Sequence, residues 1–423
     1  MIKIYNRNEI SIQEILERSE QTVDVEGIVS EIIKNVKENG DKALVEYCKK
    51  FDGAVDDIIE VTEEEIEEAF KEVDTELIGI LKEAKENITA FHSKQVRNSF
   101  IINEKDGVII GQKVLPIEKV GLYVPGGTAS YPSSVLMNCV PAKIAGCSEI
   151  VMVTPAKAGK VKPVILAAAK IAGVDRIFKI GGAQAVAALA YGTESVPKGD
   201  KIVGPGNAFV AEAKKQVFGM VDIDMIAGPS EILVVADSTN NPAHIAADML
   251  SQAEHDKMAT AVLITDSQNF AEEVSAELEK QIPLLPRAEI ARCSVDTNGK
   301  IIVTDNLVEA MDVSNILAPE HLEICVDNPF DYLDSVKHAG SIFMGRYCPE
   351  ALGDYYAGPN HTLPTSGTAR FSSPLSVDDF VKKTQFSYFS RQALCEVSDK
   401  VVRFANEEGL QAHAKSVSIR TEK

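Results

Sequence analysis

The sequence predicts an α/β fold made of two units, each built on a parallel sheet. From residue 115 to residue 236, short apolar segments alternate with alanine-rich segments, and a second alternating series continues to residue 344. Strands that alternate with helices are typical of a parallel sheet covered on both faces, because each helix returns the chain to the same end of the sheet. The similar size of the two series suggests Rossmann-like units related by duplication, although no repeat of residues proves it.

The first series contains runs rich in β-branched residues, which favour strands, and alanine-rich stretches, which favour helices. The predicted strands are Lys119–Tyr123, Glu149–Val153, Arg176–Ile180, Lys201–Val203 and Ile232–Ala236. The predicted helices are Ser133–Ala145, Lys162–Ala172, Gln184–Tyr191 and Ala208–Val217.

The second series follows the same rules. Its predicted helices are Ala243–Glu254 and Asn269–Gln281. Its predicted strands are Ala261–Ile264, Ile301–Thr304, Leu322–Val326 and Ser341–Met344.

The regions on either side of these series are predicted to be helical. Glu, Lys and Ile recur at helical spacing through residues 26–50 and 62–95. From about residue 372 the pattern is again helical and polar, and this segment is too short to form a core of its own. It must therefore pack on the body of the chain or on a second subunit.

These patterns predict a domain organisation with four parts. Residues 1–21 form an N-terminal helical arm, and residues 22–122 together with 237–372 form a discontinuous first α/β unit. Residues 123–236 form the second α/β unit, and residues 373–423 form a helical C-terminal segment.

Composition excludes several classes of function. The 423 residues carry a formal net charge of −20, with a pI near 4.9, so the surface repels phosphate backbones and nucleic acid is not an expected partner. No apolar run is long enough for a membrane span, and the first residues lack the apolar core of a signal peptide. The seven cysteines include no C-x-x-C pair, which is typical of reduced thiols in a cytoplasmic protein.

Glycine-rich turns follow four of the apolar runs. Glycine at the carboxyl end of a strand lets a ligand approach the main chain, and the next helix offers N–H groups to a phosphate. No G-x-G-x-x-G motif occurs, so the spacing alone leaves a dinucleotide cleft and ordinary tight turns as open alternatives. The turns lie in Val120–Gly127, Ile180–Gln184, Val203–Asn207 and Ala227–Glu231.

Histidines and carboxylates lie in short polar segments after residue 250. Imidazole and carboxylate groups bind divalent metals and move protons near neutral pH, so these segments indicate a metal and acid/base site. Gln252 and His255 are three residues apart on a predicted helix, a spacing that also suits a hydrogen bond on a helix surface. The other candidate residues are Glu320, His321, Asp354, His361 and His413.

Several ordered motifs, which extend through nearly the whole chain, resemble those of histidinol dehydrogenases. The motifs are Gly-Leu-Tyr-Val-Pro-Gly-Gly (121–127), Ile-Gly-Gly-Ala-Gln-Ala-Val-Ala-Ala-Leu-Ala-Tyr-Gly-Thr (180–193), Lys-Ile-Val-Gly-Pro-Gly-Asn (201–207), Ala-Gly-Pro-Ser-Glu (227–231), Ser-Gln-Ala-Glu-His-Asp (251–256), Ala-Pro-Glu-His-Leu-Glu (318–323) and Gly-Pro-Asn-His-Thr-Leu-Pro-Thr (358–365). The resemblance implies an NAD-linked oxidation of L-histidinol to L-histidine through the aldehyde.

The resemblance also implies roles for individual residues. It implies one Zn²⁺ per subunit, held by Gln252, His255, Asp354 and His413 in the first unit and the C-terminal segment. It implies NAD⁺ contacts from the second unit at Tyr123, Gln184 and Asn207. It implies substrate contacts from the four zinc ligands and from Ser230, His321, His361 and Glu408.

The catalytic pair implied by the resemblance is Glu320 and His321. His321 would act as the base in both hydride transfers, and Glu320 would activate the water that hydrates the aldehyde. The resemblance further implies a homodimer with shared active sites, in which the C-terminal segment is swapped and His413 serves the neighbouring subunit's zinc site.

Alternatives remain at this level. A zinc hydrolase could use the same ligands with Glu320 as base, and a related dehydrogenase could act on another amino alcohol. A thiol-dependent aldehyde dehydrogenase could use Cys139 or Cys147 as nucleophile. A metal-binding protein without catalytic activity is the last alternative.

Overall fold

The structure is a computed structural model that describes residues 1–17, 25–54, 57–126 and 130–422. The chain divides into two compact units, the first comprising Met1–Gln95 and Glu118–Phe380, the second comprising Val96–Ile117 and Val381–Lys423. Within the described ranges, no helix has the length and apolar character that crossing a bilayer requires. Gly127 of the first glycine-rich turn and the expected domain limit between residues 21 and 22 lie outside the described residues.

The elements are numbered in chain order. The strands are β1 (Lys3–Asn6), β2 (Phe100–Lys105), β3 (Val108–Pro116), β4 (Lys119–Tyr123), β5 (Glu149–Val153), β6 (Arg176–Phe178), β7 (Lys201–Val203), β8 (Asp222–Ile223), β9 (Glu231–Ala236), β10 (Thr260–Thr265), β11 (Lys300–Val303), β12 (His321–Cys325), β13 (Ser341–Met344) and β14 (Val381–Phe389). The helices are α1 (Ile12–Leu16), α2 (Glu26–Tyr47), α3 (Glu63–Glu72), α4 (Thr75–His92), α5 (Pro132–Ala145), α6 (Pro163–Ala172), α7 (Gly182–Tyr191), α8 (Ala208–Val217), α9 (Pro242–Ala253), α10 (Gln268–Gln281), α11 (Ala288–Thr297), α12 (Leu307–Leu317), α13 (Phe330–Leu333), α14 (Glu350–Tyr355), α15 (Arg391–Glu407) and α16 (Gln411–Thr421).

Five described strands of the first unit form a parallel sheet in the spatial order β6-β5-β4-β7-β8. Numbered along the chain, this order is 3-2-1-4-5, so strand order reverses beside β4. Helices α5 to α8 alternate with these strands, as the sequence predicts. Three predicted strands, Lys119–Tyr123, Glu149–Val153 and Lys201–Val203, are confirmed without a change of limits.

Six described strands of the first unit form a second parallel sheet in the order β1-β11-β10-β9-β12-β13. Without β1, the order along the chain is again 3-2-1-4-5. β9 and β10 are buried at every residue, as expected for parallel strands that are covered on both faces. β9 belongs to this sheet, although its residues end the range 123–236 that was assigned to the other unit from the sequence.

The core of the first unit lies on both faces of its sheets. In the smaller sheet, the alanine-rich helix α7 packs against α2 and α8 and is buried from Ala183 to Ala190. In the larger sheet, apolar residues of β9 and β10 divide between two clusters, one on each face. This burial holds the strands rigidly, so the residues at both ends of the strands have fixed positions.

Two segments that were predicted to be helical contain strands. In the N-terminal arm, Lys3–Asn6 pairs in parallel with Lys300–Val303 at the edge of the larger sheet. In the C-terminal segment, Val381–Phe389 pairs with β3 along nine antiparallel positions. The prediction was wrong because it followed polar composition, whereas aromatic and β-branched side chains and a partner strand favour extended backbone here.

The second unit consists of the antiparallel sheet β14-β3-β2 and the paired helices α15 and α16. Several of its large apolar side chains are exposed, including Ile101 at 66% and Phe404 at 70%. Exposed large apolar side chains of this kind are typical of surfaces that contact other proteins.

Candidate active site

The catalytic pair implied by the sequence is held by the main chain of one residue, Glu231, at the start of β9. Its N–H donates to Glu320 Oε2 at 2.8 Å, and its carbonyl oxygen lies 2.9 Å from His321 Nδ1. The arrangement follows from register, because β9 and β12 are neighbouring parallel strands that pair His321 with Ile232. Glu320 and His321 are both buried, with Glu320 Oε2 3.6 Å from His321 Nδ1.

The carbonyl contact fixes the tautomer of His321. A carbonyl oxygen can only accept a hydrogen bond, so Nδ1 must carry the proton that it donates to Glu231. Nε2 has no hydrogen-bond partner among the described residues. It lies 3.9 Å from Asp354 Oδ1 and 4.0 Å from Glu350 Oε1. His321 therefore presents its second nitrogen to a group of carboxylates.

Asp354 lies at the centre of this group. Its Oδ1 is 3.9 Å from His321 Nε2 and 3.7 Å from His361 Nδ1. The loop that carries His361 follows α14, as the Gly-Pro in that segment predicted, and His361 Nε2 is 3.4 Å from Ser134 Oγ near the start of α5. The site thus joins the amino end of the strands of the larger sheet to a helix of the smaller sheet.

Gln252 is buried without compensation. Its side chain is 1% exposed, and neither amide atom finds a hydrogen-bond partner among the described residues. An amide buried in this way costs free energy, on the order of 1–3 kcal/mol, unless something absent from the chain supplies the partner. A metal ion bound by the amide oxygen would supply it.

His255 follows Gln252 but does not lie on the helix as predicted. Helix α9 ends at Ala253, and His255 lies in the turn that closes it, where its N–H donates to the Gln252 carbonyl at 3.1 Å. The i to i+3 bond is the tighter turn common at a helix end. Its Nδ1 is 3.5 Å from Ser230 Oγ, which places Ser230 beside the ring.

Burial and charge oppose each other in this site. Burial raises the pKa of Glu320 to about 8, although His321 and the Glu231 N–H act to lower it. Burial alone would lower the pKa of His321, but the negative charges of Glu320 and Asp354 outweigh it and raise that pKa to about 10. The buried pair therefore holds more protons near neutral pH than the two groups would hold in water.

The charge around Asp354 is also uneven. Burial acts to raise its pKa, yet His321 and His361 keep it below its usual range. Burial raises the pKa of the neighbouring Glu350 to about 7. A site with this many buried carboxyls is expected to hold a cation.

A cavity of about 100 Å³ opens beside these groups. Its lining includes the polar side chains of His321, Asp354 and His361 and apolar residues such as Phe343 and Leu363. The Phe343 ring stacks on the His321 ring with 6.0 Å between centroids, which restricts rotation of the imidazole. The cavity could admit a small polar molecule with one ring.

The residues implied for NAD⁺ lie at the carboxyl end of the smaller sheet. The buried Tyr123 hydroxyl accepts the Gly182 N–H at 3.1 Å, and Gln184 follows in the first turn of α7. Asn207 caps α8, where its side-chain oxygen accepts the N–H groups of Phe209 and Val210. Tyr123 is the last residue of β4, and Asn207 ends the turn that follows β7. β4 and β7 are neighbours at the point where the strand order reverses, and nucleotides commonly bind at such a point.

The turn before Asn207 is held by a buried ion pair. Lys214 Nζ donates to the Gly204 carbonyl at 3.0 Å and pairs with Asp224, which accepts the Gly204 N–H at 2.7 Å. Gly204 has φ +115°, and a Cβ there would lie 2.0 Å from the Tyr123 carbonyl oxygen. Only glycine fits this close approach, so the sequence fixes the conformation of the turn that leads to Asn207.

Two residues implied for the site lie in the second unit. Glu408 is the exposed residue that ends α15, and His413 is an exposed residue in the first turn of α16.

The sequence reasoning missed two residues that the structure places here. Glu350 precedes Asp354 by four positions on α14. Its carboxylate lies with the His321 imidazole and the Asp354 carboxylate in a group whose possible ligand atoms are within 4.8 Å of one another. The i, i+4 spacing of two acids was the available signal. Ser134 gave none, because a serine in an apolar helix is common.

The thiol alternative does not suit the structure. Cys139 and Cys147 are both buried, and burial raises their pKa values to about 12 and about 11. A catalytic thiol needs a lowered pKa, so neither fits a nucleophile.

Comparisons with known proteins agree over the whole chain. The family model for histidinol dehydrogenase matches residues 16–421. The histidinol dehydrogenases of Clostridium acetobutylicum and Bacillus cereus are 57% identical over 410 residues and 56% identical over 421 residues, covering 96% and 100% of this chain and 95% and 96% of those proteins. The crystal structure of histidinol dehydrogenase from Elizabethkingia anophelis has a TM-score of 0.94 at 40% identity, covering 99% of this chain and 98% of that one. The chain therefore belongs to the histidinol dehydrogenase family.

Proposed function

We propose that the chain oxidises L-histidinol to L-histidine through L-histidinaldehyde, in two NAD-linked steps at one zinc site. Family membership carries the first part of this proposal, since it makes the chain an oxidoreductase of histidine biosynthesis. Two observations support the metal: the Gln252 amide is buried without a hydrogen-bond partner among the described residues, and His321, Glu350 and Asp354 bring possible ligand atoms together.

The proposed zinc ligands are Gln252, His255, Asp354 and the partner subunit's His413. The first three supply the oxygen and nitrogen donors that zinc accepts, and burial lowers the pKa of His255, which keeps its imidazole neutral as a ligand must be. When bound, the ion would hold the imidazole and amino nitrogens of histidinol and offset the charge of the buried carboxyls.

His321 is the proposed base for both oxidations. A bound zinc ion would offset the carboxylate charge that raises the His321 pKa, which would leave Nε2 without a proton. Because Nδ1 donates to the Glu231 carbonyl, Nε2 is then the nitrogen that takes the proton of the substrate hydroxyl as hydride leaves the carbon that bears it. NAD⁺, when bound, accepts one hydride in each oxidation. Stacking on Phe343 keeps Nε2 directed at the substrate position next to Asp354.

Glu320 is the proposed base for hydration of the aldehyde. The aldehyde gives up a second hydride only after water adds to its carbonyl, so one water proton must be removed. Glu320 is buried beside His321, and its Oε2 is held by the Glu231 N–H, which fixes the carboxylate without neutralising it. Ser230, His361 and the partner subunit's Glu408 are proposed to contact the substrate around these bases.

Tyr123, Gln184 and Asn207 are the proposed contacts for NAD⁺. The side-chain oxygen of Asn207 accepts the hydrogen bonds that cap α8. Its amide N–H groups therefore point away from the helix and can donate to the cofactor. Gln184 lies in the first turn of α7, beside the Gly182 N–H that donates to the Tyr123 hydroxyl, so these two proposed contacts lie at the same helix start.

A homodimer with swapped C-terminal segments is proposed as the assembly. Exposed apolar side chains of the second unit, such as Ile101 and Phe404, support a partner surface there.

The same 3-2-1-4-5 order in both parallel sheets supports Rossmann-like units that arose by duplication. The four-part domain division and a cytoplasmic location are retained as proposals.

Added L-histidinol and NAD⁺ should give two NADH per histidinol. The measurement is the absorbance of NADH with zinc-loaded protein, next to protein treated with a chelator and then given Zn²⁺ again. Chelation should remove the activity and zinc should restore it. No NADH from zinc-loaded protein would contradict the proposal, and one NADH per histidinol would contradict the aldehyde step.

Glu320→Gln should slow oxidation of the aldehyde by about 100-fold or more while zinc content stays unchanged, because glutamine keeps the hydrogen bond from Glu231 but cannot take a proton. In the unsubstituted protein, the aldehyde step should speed up as pH rises through about 8. Burial raises the Glu320 pKa to about that value, and only the ionised form is a base.

Single turnovers started from the aldehyde, with zinc measured on the same samples, check this role of Glu320. The variant should lack the rise near pH 8. A parallel loss of zinc and of aldehyde oxidation would show instead that Glu320 maintains the metal site.

Mixing His321→Asn and His413→Asn subunits should restore activity that neither variant has alone. If the partner's His413 completes each site, a hybrid dimer has one intact site, and random mixing would give about a quarter of full activity. Two different affinity tags allow the hybrid to be purified and assayed. An inactive hybrid of verified composition would argue against shared sites.

A further inference from the structure

Glu323 is a carboxyl group in the middle of a buried strand. It is 0% exposed, and its neighbours in register are Val234 on β9 and Phe343 on β13. Its side chain lies on the same face of β12 as that of His321, two residues earlier. For packing alone, a leucine would fill this position without the cost of burying a polar group.

The carboxyl of Glu323 is hydrogen-bonded to two other elements, α14 and α9. Glu323 Oε1 accepts the main-chain N–H of Glu350 at 2.7 Å, at the first residue of α14. The carboxyl also shares a hydrogen bond with the side chain of Asp248 on α9. The Cys325 thiol is 3.8 Å from Oε2, a weak contact within the same strand.

A hydrogen bond between two carboxyls requires a proton on one of them. Burial raises the pKa of Glu323 well above its usual range and that of Asp248 to about 6. The pair is therefore expected to hold one shared proton and to behave as a fixed hydrogen bond.

The three linked elements are those that carry the site. β12 begins with His321, α14 carries Asp354 one turn after Glu350, and α9 carries Gln252 one turn after Asp248. Residues four apart lie on the same face of a helix, one turn from each other. Glu323 therefore binds each helix one turn before a proposed ligand, Gln252 on α9 and Asp354 on α14. One carboxyl thus fixes the spacing of two proposed zinc ligands and the proposed base.

We propose that Glu323 is a positioning residue that sets the distance between Gln252, Asp354 and His321 by joining α9 and α14 to β12. The inference rests on the proposed function, because it concerns the geometry of that zinc site. It assigns no contact with substrate or metal to Glu323. Hydrogen-bonded residues behind metal ligands commonly tune metal affinity by about 10-fold to 100-fold.

The test compares Glu323→Leu with Glu323→Gln. Leucine fills the space but breaks both links, whereas glutamine accepts the Glu350 N–H and donates to Asp248. Zinc affinity, measured by competition with a chromophoric chelator, should fall about 10-fold or more in Glu323→Leu and recover in Glu323→Gln. The kcat of Glu323→Leu should stay low at saturating zinc, since His321 is also displaced.

Cys325→Ala serves as the matched control. It perturbs the same face of β12 and touches the same carboxyl but links no second element, so zinc affinity should not change. If Glu323→Leu does not fold, Asp248→Leu is the variant to test. It breaks only the hydrogen bond between Glu323 and α9, and Asp248 is partly exposed, so the substitution is better tolerated. Asp248→Leu should bind zinc more weakly than the unsubstituted protein.

Three outcomes would overturn the inference. One is a folded Glu323→Leu, or in its place Asp248→Leu, with unchanged zinc affinity in a protein that oxidises histidinol. The second is a second zinc ion per chain that is lost in Glu323→Gln, since Glu323 would then be a ligand. The third is an unsubstituted protein that neither binds zinc nor oxidises histidinol, which would remove the proposed function as well.

Discussion

The site depends on the pairing of β9 with β12 at one residue, Glu231. Its N–H donates to Glu320 and its carbonyl accepts from His321, so the two peptide groups that flank Glu231 orient both members of the proposed catalytic pair. Neighbouring parallel strands buried on both faces cannot shift register without moving the whole core, because every side chain would change face. The orientation of the pair is therefore as stable as the sheet.

The surrounding side chains make sense as the environment of a cation. A buried amide without a partner at Gln252, a carboxyl between two imidazoles at Asp354, and the further acids Glu350 and Glu323 each carry a cost of burial. A bound divalent ion would offset much of that cost in the places nearest to it. The remaining cost, at Glu323, fits its proposed role of setting the distances between the proposed ligands.

The alternating pattern predicted the two parallel sheets well, because apolar runs that are buried on both faces differ clearly from alanine-rich helices. The strand Val381–Phe389 was missed because its stability comes from a partner strand distant in sequence, which composition does not show. His255 and Glu350 illustrate the same limit in the site. Where a helix ends and which acids converge depend on packing, and only the i, i+4 spacing on α14 was visible beforehand. The family resemblance supplied roles that spacing left open.

The most direct test is the protonation state of the His321 ring in the zinc-loaded protein. Histidine labelled with ¹⁵N, compared between the unsubstituted protein and His321→Asn, identifies the His321 signals near neutral pH. We expect a proton on Nδ1, hydrogen-bonded to the Glu231 carbonyl, and none on Nε2, the nitrogen proposed to face the substrate. A ring with its only proton on Nε2 would contradict it, because the main chain of Glu231 would then not set the base.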